Sequence, residues 1–246
     1  MDWRKRAYST YFDYHLTPNR GNQTLAEVKK QFSVWDNHYG RFLPKDKQAQ
    51  IIDIGCGGGE IVLWLRERGY KNVSGLEADQ KQVIHARDLG FDDIRFGDCR
   101  DFLRAKMDHY DCIIARDVIE HFDKTEVFEL LDILYRALKI GGTIIIQTPN
   151  AESPFGSRYR YYDFTHCLSF TPASLYHVLR TVGFSDIVFY PIRPVIHGVK
   201  SFFRHILWRL IEIILGFYLL VETGSGRAIF TLNMIAVARK NDPNLE

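Results

Sequence analysis

Ile51-Ile52-Asp53-Ile54-Gly55-Cys56-Gly57-Gly58-Gly59-Glu60 is the stretch on which the rest of the chain is organised. Its first residues are a β-branched run of the kind that fills a parallel strand buried on both faces. Glycines then take four of five positions, and the apolar-periodic Ile61-Val62-Leu63-Trp64-Leu65 resumes as a helix. The pattern is strand, glycine turn, helix. Glycine lets a backbone lie against a ligand because it has no Cβ and accepts positive φ. The turn also delivers the free N–H groups of a helix N-terminus to the same place. A dinucleotide fingerprint, G-x-G-x-x-G, is excluded, since the sixth position from Gly55 is Glu60, which neither packs closely on a strand nor welcomes a pyrophosphate.

Outward from this turn, acids close consecutive predicted strands. Asn72–Leu76 ends at Glu77, with Asp79 as an alternate, and Ile94–Phe96 leads to Asp98-Cys99. A carboxylate at the end of the second strand of a doubly wound fold presents two acceptor oxygens to two ribose hydroxyls. The fourth strand, Asp111–Ala115, runs into Arg116-Asp117-Val118-Ile119-Glu120-His121. The ligand crevice of an open α/β sheet lies where strand order reverses, here between the first and fourth strands. A helix over Phe128–Leu138, a fifth strand over Thr143–Gln147, a helix opened by Thr171-Pro172, a sixth strand over Ile187–Tyr190 and a last strand over Leu232–Ala238 complete the pattern.

The run D-x-G-x-G-x-G, Asp53 through Gly59, resembles the first motif of the class I S-adenosylmethionine (SAM) dependent methyltransferases. The resemblance implies SAM as cofactor and an α/β, doubly wound, seven-stranded Rossmann-like sheet with an antiparallel last strand beside the fifth. It implies that Asp53, Gly55, Gly57 and Gly59 surround the methionine end, that Glu77 meets the ribose, and that Asp98 with the Cys99 N–H meets the adenine. Arg116 then corresponds to a position touching the methionine portion, and the Glu120-His121 pair is shared with many small-molecule members. The segment Ala151–Thr171, with Arg158, Tyr159, Arg160, Tyr161, Tyr162 and Asp163-Phe164-Thr165-His166, resembles the substrate loop of methyltransferases of cell-surface polysaccharide synthesis.

Aromatic rings and charged hydrogen bonds suit a sugar, so the expected acceptor is a sugar hydroxyl of a glycan or of its lipid-linked precursor. A quinone or other prenylated phenol is the alternative, and a SAM-binding regulatory protein without catalysis is a third reading. His166, oriented by Asp163, is the expected base and His121 the second candidate, because imidazole titrates near working pH. Asp117, His121, Asp163 and His166 have no metal-specific spacing, so no metal is expected.

With 246 residues, 46% hydrophobic and 14% aromatic, the chain suits one α/β domain with an elaboration. The expected division is a helical cap over 1–48, a cofactor core over 49–190, an apolar helical insertion over 191–229 and the last strand over 230–240. The cap carries Tyr8, Tyr11 and Tyr14 at helical spacing before Thr17-Pro18, as a packed leader or a substrate lid. A Thr24/Glu27 capping box then opens a helix through Val28, Phe32 and Trp35 to Phe42, stopped by Pro44. Lys plus Arg is 32 and Asp plus Glu is 30, a net +2 that supplies no bulk drive toward nucleic acid. Cys56, Cys99, Cys112 and Cys167 form no C-x-x-C pair and read as reduced core residues of a cytoplasmic protein. The charged opening residues lack the apolar run of a secretory leader.

Phe202–Val221 is long enough to span a bilayer, but Arg204, Arg209 and Glu212 inside it would each cost about 2.5–3.5 kcal/mol at mid-depth. His205, Arg209, Glu212 and Gly216 fall on one narrow helical stripe and almost everything else is apolar. Such a helix is expected to bury its apolar surface in a membrane interface, at the inner face of the plasma membrane, or on the enzyme itself or across a homodimer.

Overall fold

The computed structural model describes residues 3–13 and 24–242; Tyr14 and Thr17-Pro18 lie outside them. Seven strands, β1 (Gln50–Ile54), β2 (Asn72–Glu77), β3 (Ile94–Phe96), β4 (Tyr110–Arg116), β5 (Leu138–Pro149), β6 (Ser185–Pro191) and β7 (Asn233–Arg239), form one sheet in the order β3-β2-β1-β4-β5-β7-β6. The first five are parallel, and β7 is inserted antiparallel between β5 and β6. This is the expected α/β sheet. Strand order reverses between β1 and β4, and the glycine turn follows β1 at that point.

The helices are α1 (Trp3–Tyr8), α2 (Leu25–Lys30), α3 (Phe32–His38), α4 (Glu60–Glu67), α5 (Gln80–Asp88), α6 (Cys99–Arg104), α7 (Lys124–Ala137), α8 (Gly156–Tyr162), α9 (Pro172–Val182) and α10 (Val199–Thr223). They cover both faces of the sheet. Successive strand residues point to opposite sides, so Ile52 and Ile54 join Leu130, Leu134, Leu175 and Phe184 in one core, while Ile51 joins Trp64, Leu65, Phe32 and Trp35 in the other. All four cysteines are free.

The single helix expected from Thr24 to Phe42 is divided. Its capping box forms, with Thr24 Oγ1 accepting from the Glu27 N–H and Glu27 accepting from the Thr24 N–H. At Gln31 the chain turns, and its N–H reaches the carbonyls of Val28 and Lys29. Gln31 keeps right-handed dihedrals (φ −80°, ψ −14°), so Val28, Phe32 and Trp35 still share a buried face and the apolar period passes through the break unchanged.

Because β5 and β6 are both antiparallel to β7, the end of β6 and the start of β7 lie at the same edge as the glycine turn. The insertion carrying α10 therefore springs from the edge of the sheet that carries the glycine turn. Among the described residues, no helix is long and apolar enough to cross a membrane.

Candidate functional site

The glycine turn holds left-handed backbone at Gly55, Gly57 and Gly59, with φ of 63°, 55° and 84°. Two of these glycines are also fixed by packing. A Cβ on Gly55 would sit 2.6 Å from Val118 Cγ2, and one on Gly59 would collide with Ile94 at the start of β3. The Gly57 N–H donates to Glu77 Oε2 (2.8 Å) and the Asp79 N–H to Glu77 Oε1 (2.9 Å), which pins that carboxylate beside the turn. Burial raises the Glu77 pKa above its ordinary value.

Beneath the turn, Asp53 is 2% exposed and burial pushes its pKa up to about 8. Its Oδ1 has no hydrogen-bond partner among the described residues, and neither has Arg116 Nη1, whose guanidinium lies 5.7 Å over the Trp35 ring. Asp98 caps α6, accepting from the Arg100 N–H (2.8 Å) and Nη2 (2.9 Å). Burial would raise its pKa, but these bonds outweigh it and the net shift is downward. Cys99 is the first residue of α6, where backbone N–H groups have no intrahelical partner.

At the end of β4, Asp117 adopts φ 56°, a left-handed conformation that costs a non-glycine residue about 1–3 kcal/mol and clusters at functional sites. Gln147 holds it, donating from Nε2 to both carboxylate oxygens at 2.9 Å, while the Tyr39 hydroxyl donates to Gln147 Oε1. The 3-10 turn Ile119–His121 follows. The Glu120 carbonyl accepts from the N–H groups of Cys167 (2.7 Å) and Leu168 (3.0 Å), which docks the loop after β5 against this turn.

That docking brings His121 to Asp163, Thr165 and His166. The Thr165 hydroxyl donates to Asp163 Oδ1 (2.6 Å) and lies 2.9 Å from His121 Nδ1. Its proton being committed to an acceptor-only carboxylate, Thr165 Oγ1 accepts from His121 Nδ1–H, which leaves the lone pair on Nε2. His166 Nδ1 donates to the Tyr159 carbonyl (3.0 Å), so its Nε2 is also unprotonated, and burial lowers its pKa. The two imidazole centroids are 4.8 Å apart. The expected Asp163–His166 pairing is not a hydrogen bond, since Asp163 Oδ2 is 3.9 Å from His166 Nε2. Asp163 instead orients His121 through Thr165.

The leader closes over this cluster. The Tyr11 hydroxyl donates to Asp163 Oδ2 (2.6 Å), the Tyr8 hydroxyl lies 3.2 Å from His121 Nδ1, and Arg4 pairs with Glu126. Beside it, a cavity of about 550 Å³ is lined by Trp35 and Tyr39 near the N-terminus, Arg116, Asp117 and Gln147 at the strand ends, and Arg158, Tyr159 and Tyr162 of the segment after β5.

Of the residues singled out in the sequence, the structure brings the glycine turn to Glu77 and His121 to His166. The sequence puts Tyr11 in the leader and Thr165 in the loop after the fifth strand without linking either to His121, and it gives Gln147 no role. Glu120 was visible only as half of the Glu-His pair. Its side chain is fully buried, burial raises its pKa well above the ordinary value, and its Oε1 has no partner among the described residues. Ligating atoms of Glu120, His121 and His166 lie within 4.8 Å of one another, a set able to take a metal ion.

Residues 28–188 match the family described as "Methyltransferase domain". The chain belongs to that family. It is a class I SAM-dependent methyltransferase with a Rossmann-like fold. A SAM-dependent methyltransferase from Archaeoglobus fulgidus superposes with a TM-score of 0.64 at 21% identity, over 87% of this methyltransferase and 94% of that chain. Phosphoethanolamine N-methyltransferase 2 of Haemonchus contortus, solved with SAM, gives 0.58 at 15% identity over 96% and 60%. These likenesses show the fold. Among curated proteins, a ubiquinone biosynthesis O-methyltransferase of Rickettsia akari is 31% identical over 46% of this chain and 44% of its own length. A probable SAM-dependent methyltransferase of Mycolicibacterium smegmatis is 27% identical over 69% and 65%. The methyltransferase spans about half or less of the length of the first curated relatives it matches.

Proposed function

We propose that this methyltransferase O-methylates a phenolic hydroxyl of a prenylated, quinone-type acceptor, with His121 as the general base. The observation that carries the reading is the hydrogen-bonded chain Asp163–Thr165–His121 at the end of β4, where ligands of an open α/β sheet bind. Several curated relatives are named ubiquinone biosynthesis O-methyltransferases, which moves the phenol ahead of the sugar.

The site fits SAM on two orphaned groups. The cofactor's methionine end carries an ammonium and a carboxylate; the buried Asp53 oxygen needs a donor and the buried Arg116 nitrogen needs an acceptor. Each member of that pair finds its complement. Gly55, Gly57 and Gly59 would face the same end, Glu77 the ribose hydroxyls, and Asp98 with the Cys99 N–H the adenine. The division of labour is a cap over 1–48, a cofactor core over 49–190 and an insertion over 191–229 before the last strand. SAM, when bound, supplies an activated methyl group for in-line displacement.

The chain's own residues then do the rest. Trp35, Tyr39 and Tyr159 shape the cavity that holds the acceptor, and the leader residues Tyr8 and Tyr11 shield the cluster from water. His121 Nε2 takes the hydroxyl proton, and Asp163, reached through Thr165, stabilises the imidazolium that forms. His166, neutral because burial lowers its pKa, offers a second acceptor nitrogen beside it.

A sugar on a lipid-linked precursor is the second reading, favoured by Arg158, Tyr159 and Tyr162 lining the cavity. The test is methyl transfer to extracted prenylated phenols and to extracted lipid-linked sugars, read by mass spectrometry beside SAM binding by calorimetry. Methylation of the phenol pool supports the first reading. Methylation of the sugars alone reverses the order, and neither, with SAM binding intact and lost in Glu77→Ala, refutes both.

A further inference from the structure

We infer that α10 is a membrane-docking element whose outward face seats in the boundary layer of an anionic lipid bilayer. Contacts fix which side of the helix turns inward. Glu212 accepts from Arg193 Nε (2.8 Å), Trp208 Nε1 (3.0 Å) and Arg209 Nη1 (2.6 Å), and His205 Nδ1 donates to the Pro194 carbonyl (2.8 Å). Gly216 packs so closely on the chain that a Cβ there would lie 3.1 Å from the Gly226 carbonyl oxygen. The polar stripe is thus turned toward the connection's own flanking segments, Arg193–Pro194 and Gly226, which sets the side of the helix that faces outward.

What faces outward is apolar along the whole length, about 37 Å at 1.5 Å per residue for 25 residues. Phe203, Ile206, Leu210, Ile213, Ile214 and Phe217 are each between 40% and 67% exposed. At 100° per residue the outward side from Phe202 to Val221 holds the Tyr218 hydroxyl and, toward its margin near the start of the helix, Arg204.

Polarity and charge select the occupant. A specific protein interface carries about one hydrogen bond per 100–200 Å², and a face with one hydroxyl and one marginal guanidinium offers a second protein few groups by which to set register. A fluid apolar phase needs no such bonds. The flanks supply cations: Lys200, Arg204 and Arg227 have no carboxylate partner among the described residues, which complements anionic headgroups. A wide apolar face with a basic fringe lies in the plane of the interface. The insertion leaves the cavity wall at Ile192 and returns to it at Asn233, so docking sets the cavity beside the lipid surface. The inference stands whichever acceptor is correct.

The experiment is flotation of the full chain with vesicles of phosphatidylcholine alone and of phosphatidylcholine with phosphatidylglycerol. The expected result is binding to the anionic vesicles. It should be weakened about tenfold or more by Leu210→Glu with Ile214→Glu, and about fivefold per charge removed by Lys200→Gln and Arg204→Gln. SAM binding by calorimetry reports whether each variant is folded, and a single Ile214→Ser replaces the double variant if that one is not. Absence of the full chain from both vesicle fractions overturns the inference. So does a dimer in analytical ultracentrifugation that Ile214→Ser dissociates, because the face is then an interface between copies.

Discussion

Thr165→Val removes one hydroxyl and almost no volume, and it separates an oriented base from a merely nearby histidine. Asp163, 4% exposed, accepts from the Thr165 N–H (2.8 Å), the Thr165 hydroxyl (2.6 Å) and the Tyr11 hydroxyl (2.6 Å). A hydrogen bond to a charged group contributes about 1.5–3 kcal/mol, and that much is lost from stability when the hydroxyl goes. The same hydroxyl accepts from His121 Nδ1–H and so fixes the tautomer with its lone pair on Nε2. If a comparable energy holds the reactive tautomer, kcat falls about 10- to 100-fold at one decade per 1.4 kcal/mol. KM for the acceptor and the SAM dissociation constant should stay near wild type, because neither contact is a binding contact. Thr165→Ser restores the hydroxyl and should recover most of the rate. The assay is steady-state methyl transfer to a prenylated diphenol, with calorimetry for SAM and nitrogen NMR of the histidine rings for the tautomer. Thr165→Val with kcat within about twofold of wild type and an unchanged His121 tautomer refutes the orientation argument.

Gly59→Ala forces a Cβ into Ile94 at φ 84° and should lower stability by about 2–4 kcal/mol in denaturant unfolding, with weaker SAM binding. Asp53 should make cofactor binding pH-dependent. Its folded pKa, about 8, lies above its unfolded value, so the protonated carboxyl stabilises the ligand-free fold below pH 4 or so, and that contribution is lost as pH rises toward 8. The melting temperature of the ligand-free protein should therefore fall across this window. SAM affinity should rise over the same range, and calorimetry in buffers of different ionisation enthalpy should show proton release on binding. Turnover should survive exhaustive chelation if His121 acts as a base; loss on chelation with recovery on added zinc or manganese would instead assign Glu120, His121 and His166 to a metal.

The cofactor half of the site was legible because its signals are local. Glycines and a strand end lie within a few residues of one another, the acid that closes the next strand follows 20 positions after Gly57, and parallel topology carries them to one edge. The half proposed to handle the proton was not. Thr165 and His121 are 44 positions apart, and Tyr11 reaches Asp163 across 152. A threonine bridging a carboxylate to a histidine 44 positions away has no sequence pattern, and Asp163, three residues from His166, approaches it to 3.9 Å. Tyr159, whose carbonyl does hold His166, contributes a backbone atom that any residue could supply. Periodicity showed that α10 has a polar stripe and an apolar remainder, but which one meets the protein depended on Arg193 and Pro194, outside the helix.

The antiparallel seat of β7 between β5 and β6 has a consequence for how such a protein diversifies. Both ends of the connection over residues 192–232 emerge at the ligand edge, while the sheet itself closes through β5–β7 and β6–β7 pairing. The pairing is indifferent to what lies between. Each doubling of a connection's length costs only about 0.6 kcal/mol of closure entropy, so this port accepts long, short or exchanged segments with little penalty to the core. A graft there changes where the catalyst works, and what it is brought near, without touching the residues that perform the chemistry.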